Sequence, residues 1–312
     1  MESVAKYYYP ELDIVKGIAI LLVILGHSFC TYPIDINSEF PLLGKIVRSF
    51  QMPLFFMASG FLFNVHGSFK DFVKKKLWRL IVPWIGFSII TVMLRIVFSS
   101  FTRSGEISVA TSLFDIVQGH YYWFLYALTF IMIVCRLVTK QLALIGLSIF
   151  SVVCCILFDI RNVTFFEMGR IIYFFPYFCI GMFIQYHYKM ISDWSMYKIT
   201  MLVFILVLIY ATAMSIQKEC MVYIVALSGS LLTWGGSILL SHKNMAFLKH
   251  FGKYSLQYYL NHLLIMLPCY YFAKFTPYLQ LLTIYVTGIG MSFIMLKIEM
   301  RFAFTRRLCG LK

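Results

Sequence analysis

Three residues near the start of the chain have the types and the spacing to do chemistry. Asp13, Lys16 and His27 lie in the run Asp13-Ile14-Val15-Lys16-Gly17-Ile18-Ala19-Ile20-Leu21-Leu22-Val23-Ile24-Leu25-Gly26-His27-Ser28. An α-helix turns about 100° and rises about 1.5 Å per residue, so Lys16 and His27 return to within about 20° of one face, about 16 Å apart. Imidazole titrates near neutrality and suits proton transfer to or from a hydroxyl. An ammonium group is a competent partner for phosphate. Asp13 stands three residues before Lys16 and either orients it or caps the helix start. Ionisable groups inside an apolar helix are costly and point to function. The competing structural roles are a hydrogen-bonded His27 between helices and a Lys16 that snorkels to the interface.

Further candidates lie downstream. His262 sits beside Asn261 inside a late apolar run. It either pairs across helices or shares a proton path with His27. Glu167 and Arg170 are three residues apart and form an ion pair, lining a cavity or lying on the surface. Trp123 follows Tyr121 and Tyr122, either as part of an interfacial aromatic belt or as a stacking platform for a ligand.

The elements that must position these groups are apolar helices. Of 312 residues, 61% are hydrophobic and 13% charged, about half the charged share of a soluble domain. The fold class expected is all-α, a polytopic integral membrane protein. About twenty helical residues cross the hydrocarbon core, and ten segments qualify: 13–31, 45–63, 79–98, 121–138, 141–158, 168–187, 197–215, 221–240, 255–273 and 278–297. Connections are short, so residues 1–312 read as one membrane domain without a separate soluble part. No cleavable signal peptide is expected, and the first run reads as a retained helix. With ten helices and both N and C termini cytoplasmic, most of the 27 Lys and Arg residues fall on the cytoplasmic side. The net charge of +14 is therefore read as topology, and no nucleic-acid motif is present. Residues 68–79 interleave Phe69, Phe72, Leu77 and Trp78 with Lys70, Lys74, Lys75, Lys76 and Arg79. Such a basic amphipathic segment suits either anionic lipid or the phosphates of a cytosolic cofactor. The eight Cys show neither a CxxC pair nor a metal-ligand spacing, so neither a metal nor a disulfide is expected.

Six stretches, in order, resemble the membrane acyltransferase-3 family, which includes fucose 4-O-acetylase-like proteins. They are Lys16 followed by ten residues and His27; Phe50-Gln51-Met52-Pro53-Leu54-Phe55-Phe56; Lys75-Lys76-Leu77-Trp78-Arg79-Leu80-Ile81-Val82-Pro83; Tyr122-Trp123-Phe124-Leu125; Phe175-Pro176-Tyr177-Phe178-Cys179-Ile180-Gly181; and Gly252-Lys253-Tyr254-Ser255-Leu256-Gln257-Tyr258-Tyr259-Leu260-Asn261-His262. Lys16 stands where many members have Arg, and Gln51 where many have His. The resemblance implies transfer of an acyl group, acetyl by default, from cytosolic acetyl-CoA to a hydroxyl of a cell-surface or lipid-linked glycan. It implies a catalytic group of His27, Lys16, Asp13 and His262, with His27 as general base or transient acyl carrier. It implies that Lys16, Lys75, Lys76 and Arg79 hold the CoA phosphates, and that Trp123, Glu167 and Arg170 meet the acceptor. Acetyl-CoA is the co-substrate, without a metal. The expected partners are the glycan or lipid-linked sugar and membrane lipid, with no nucleic acid and with homo-oligomerisation open. The expected location is the plasma membrane, the inner membrane of a bacterium. A transporter or flippase of a lipid-linked glycan is the competing reading, and a non-catalytic membrane partner of a polysaccharide machine is a third.

Overall fold

A computed structural model describes residues 8–29, 39–64, 67–74, 78–97, 108–216, 220–272 and 276–311, with backbone alone for 267–272. Lys75 and Lys76 lie outside the described residues. The described chain is helical, with no strand among the described residues. The longer helices are α1 (Pro10–Ser28), α2 (Pro41–Phe61), α3 (Trp78–Val97), α4 (Trp123–Leu137), α5 (Gln141–Phe158), α6 (Met168–Tyr186), α7 (Met196–Ser215) and α8 (Met221–Ser241). They are followed by the short α9 (Ala246–Lys253), then α10 (Ser255–Phe272), α11 (Pro277–Glu299) and the short α12 (Ala303–Leu308).

Each of the ten expected segments contains a helix among its described residues. Six described helical segments are long and apolar enough to cross a membrane: α3, α5, α6 with its preceding turn, α7, α8 and α11. The other four differ for identifiable reasons. α1 begins with Glu11, Asp13 and Lys16; α2 carries Lys45 and Arg48; α10 carries Gln257, Asn261 and His262; and α4 is apolar but 15 residues long. The outer helices show lipid-type surfaces. Leu142, Phe150 and Leu157 of α5 and Phe204 and Leu208 of α7 are exposed, which suits hydrocarbon and not water. The protein is a helical, multi-pass membrane protein.

α1 is the central helix. Pro10 occupies its first turn, where a missing N–H costs little, and Glu11 and Asp13 complement the positive end of its dipole. Asp13 is therefore not the cap of this helix. Ile14, Val15, Ala19, Ile20, Val23 and Ile24 are buried, because α1 packs against α2, α8, α9, α10 and α11. Two glycines set its closest contact. Gly17 of α1 faces the Leu248 carbonyl of α9, and Gly252 of α9 faces the Asp13 carbonyl of α1, so a Cβ at either position would collide with backbone. Small residues allow the same approach between α2 and α6, where Gly60 faces the Phe178 carbonyl and Gly181 faces the Met57 carbonyl. Phe56 and Phe174 stack beside that seam, with ring centres 4.6 Å apart.

Gly60→Val is expected to lower the thermal midpoint of the purified protein in detergent, since overpacking costs about 1–3 kcal/mol even where side chains can adjust. Gly146, on exposed α5, has open space around it, so Gly146→Ala is expected to leave the midpoint unchanged or raise it slightly. Equal midpoints for Gly60→Val and the parent would refute the backbone contact.

Candidate functional site

α1 and α10 bring His27 and His262 together. Their ring centres are 5.2 Å apart with planes inclined by 51°, although 235 residues of sequence separate them. His262 is fully buried, while His27 keeps partial accessibility deep in the bundle. Nδ1 of His262 lies 3.1 Å from the Tyr258 carbonyl one turn earlier. A carbonyl only accepts, so that nitrogen carries the hydrogen, and Nε2 of the neutral ring has an open lone pair. Nε2 is buried and has no hydrogen-bond partner among the described residues. The arrangement places a buried imidazole nitrogen with an open lone pair beside a second imidazole. Gln51 lies against the same stretch of α1: its amide nitrogen and oxygen sit about 3 Å from where a Gly26 Cβ would stand.

An aromatic layer leads from this pair to the other polar cluster. The Tyr259 ring lies 5.7 Å from His262 and 5.4 Å from Phe124, and Phe124 lies 6.4 Å from Trp123. The Arg170 guanidinium sits over the Trp123 ring at 4.6 Å, and Phe174 stacks on the same ring at 5.4 Å. Nη1 of Arg170 donates to Glu167 Oε2 at 2.7 Å. Glu167 is buried, and it and Phe166 both adopt left-handed backbone, with φ of 52° and 47°. Such backbone is strained for non-glycine residues. It turns the carboxylate inward at the start of α6. Trp123, Glu167 and Arg170 thus form one unit, one aromatic layer from the histidines. The Trp123 ring is half-buried, and the Arg170 side chain is the more accessible polar part of the unit. Tyr122 is not in an interfacial belt. It is buried and left-handed, and its hydroxyl donates to the Leu260 carbonyl at 3.0 Å, tying the start of α4 to α10.

At the other end of α1, Lys16 Nζ meets Asp13 Oδ1 at 2.8 Å, and both side chains are partly accessible. The helix is unbroken from Pro10 to Ser28, so this ion pair stands about 16 Å along the axis from His27. Arg79 lies at the same end, its Nε donating to the Gly310 carbonyl at 3.0 Å. The described residues contain no cluster of three or more His, Cys, Asp or Glu able to hold a metal.

The acyltransferase domain family, acyltransferase-3, is matched over residues 9–297. The chain belongs to the acyltransferase-3 family. No curated relative and no solved structure matches it. This acyltransferase-3 protein is accordingly a membrane acyltransferase, and the match covers the histidine pair, the aromatic layer and both ends of α1. Sequence reasoning missed Tyr259 and Phe124 as the link between the two clusters. Both stand inside family-like stretches, but nothing in their spacing shows that α4 and α10 meet.

The Glu167–Arg170 pair is unequal, with the carboxylate nearly enclosed and the Arg170 side chain 40% accessible. Arg170→Gln strands a buried charge, whereas Glu167→Gln leaves a cation that water can reach. Thermal melts in detergent are expected to show the larger loss for Arg170→Gln, about 2–4 kcal/mol against 1 or less. The reverse order would contradict the enclosure of Glu167.

Proposed function

We propose that this protein moves acetyl from cytosolic acetyl-CoA to a hydroxyl of a cell-surface or lipid-linked glycan. In this reading residues 1–312 form one domain of ten membrane helices in the plasma membrane, with both termini cytoplasmic. The observation that carries it is the His27–His262 ring pair, set between the Lys16–Asp13 end of α1 and the Trp123–Arg170–Glu167 unit.

In the direct route the acceptor hydroxyl attacks the thioester carbonyl while the imidazole pair takes its proton. The C–S bond breaks, and the departing CoA thiolate recovers that proton as the thiol. The open Nε2 of His262 supports His262 as the place where the proton rests while His27 faces the reacting groups. In the stepwise route His27 attacks the thioester carbonyl, the C–S bond breaks and CoA leaves as the thiol with the imidazole proton; the acceptor hydroxyl then takes the acetyl group and its proton returns to the imidazole. Lys16, steadied by Asp13, and Arg79 hold donor phosphates, with Lys75 and Lys76 in the intervening segment. About 16 Å of α1 between Lys16 and His27 suits the reach of an extended pantetheine arm. On the opposite side, Arg170, Glu167 and Trp123 receive the acceptor.

His27→Ala is expected to insert normally and to lower glycan O-acetylation by about 100-fold or more, the usual worth of a positioned acid–base group. Mass spectrometry of surface glycans, reading the loss of one acetyl mass per site, checks it. Full acetylation in that variant would remove His27 from the mechanism. Unchanged acetylation with altered glycan export would favour a transporter.

A further inference from the structure

The chain beyond residue 297 lies outside the span matched by the family, yet it is tied back to the bundle by hydrogen bonds. α12 ends in a two-bond turn: Leu311 N–H donates to the Arg306 carbonyl at 2.8 Å and Gly310 N–H to the Arg307 carbonyl at 3.2 Å. Gly310 supplies the left-handed residue that this closure needs, with φ of 69°. The turn directs the next two carbonyls back to the bundle. Gln257 Nε2 of α10 donates to the Cys309 carbonyl at 2.7 Å, and Arg79 Nε of α3 donates to the Gly310 carbonyl at 3.0 Å. Cys309 is 1% exposed, and Leu308 seats against Gly86 of α3.

A basic tail that only sets topology needs charge near the membrane and no fixed conformation. Here two helices clamp the tail, and the clamp has a consequence for charge. Arg306 and Arg307 are exposed at the turn, Arg79 is exposed beside Gly310, and none of the three is in an ion pair among the described residues. Glu299, the nearest carboxylate along the chain, is buried beneath them and not on their rim. The turn fixes the backbone from which Arg306 and Arg307 extend, and Arg79 is tied to the same turn through the Gly310 carbonyl; the planar fork of Arg matches phosphate oxygens in pairs.

We infer that the C-terminal turn, through Arg306 and Arg307 with Arg79, binds the phosphate end of the acyl donor, a nucleotide carrying a phosphate monoester and a diphosphate. The inference rests on the acyl-CoA reading above and deepens it. The turn stands at the Lys16 end of α1. α9 crosses the first turns of α1 through Gly252 and Asp13, α10 follows directly, and its residue Gln257 holds the tail. The same phosphate chemistry is offered by an anionic lipid headgroup, so the test must separate the two sources.

The full chain in nanodiscs, with and without phosphatidylglycerol, is titrated calorimetrically with CoA and with 3′-dephospho-CoA. The parent is expected to prefer CoA by about tenfold, the worth of one charge-assisted contact. The Arg306→Gln/Arg307→Gln double variant is expected to lose most of that preference in both lipids. Arg306→Lys/Arg307→Lys is expected to keep part of it. CoA binding by the double variant with the parent's preference would overturn the inference and leave the acyl-CoA reading standing. So would a preference that depends on phosphatidylglycerol, which would assign the turn to lipid. No CoA binding by the parent itself would overturn both.

Discussion

A helix that carries Glu11, Asp13, Lys16 and His27 can stay in an apolar bundle only if protein, and not hydrocarbon, surrounds it. That constraint organises the molecule. α1 is packed on by five other helices, and its charged first turns are closed by partners: Asp13 by Lys16, and Glu11 by the Tyr188 hydroxyl. The Gly17–Gly252 contact brings α9 onto this stretch and so sets where α10 begins. α10 then delivers His262 to His27. Moving the polar helix to the centre leaves the most apolar helices, α5 and α7 among them, to face lipid.

The same constraint explains which parts of the site were legible in the sequence. Local pairs were: Asp13 with Lys16, and Glu167 with Arg170, each three residues apart on a helix or at its start. The positions of the helices were legible too, since a long apolar run has few alternatives in a membrane. The membrane-crossing count was less so. α1, α2 and α10 are helices as expected, but their polar residues keep them below the composition of a lipid-facing span, because they serve the interior. Contacts between remote helices were not legible. Nothing in the spacing of His27 and His262, or of Phe124 and Tyr259, reveals that they meet. That information lies in the packing of α1, α4 and α10, set by small residues and by the Tyr122–Leu260 hydrogen bond. The inward turn at Phe166 and Glu167 was equally hidden, because left-handed backbone at non-glycine residues is imposed by surroundings and not by local preference.

The site has two unlike ends, with the imidazole pair and an aromatic layer between them. Cations on α1, α3 and the C-terminal turn stand at one end. A tryptophan, an arginine and a buried carboxylate stand at the other, one aromatic layer from the imidazoles. Such a division suits the proposed transfer from a charged thioester donor to a sugar hydroxyl, in which the thioester is shielded from water while each substrate keeps its polar part outside.

The central claim is that His27 and His262 act as one unit. Acetyl-CoA consumption in membrane vesicles carrying the parent, His27→Ala, His262→Ala and the double variant tests it most directly, with insertion checked in each. Groups that work together lose activity non-additively. The double variant is therefore expected to be about as slow as the slower single variant. Losses that multiply, or a His262→Ala variant with parental turnover, would contradict the account.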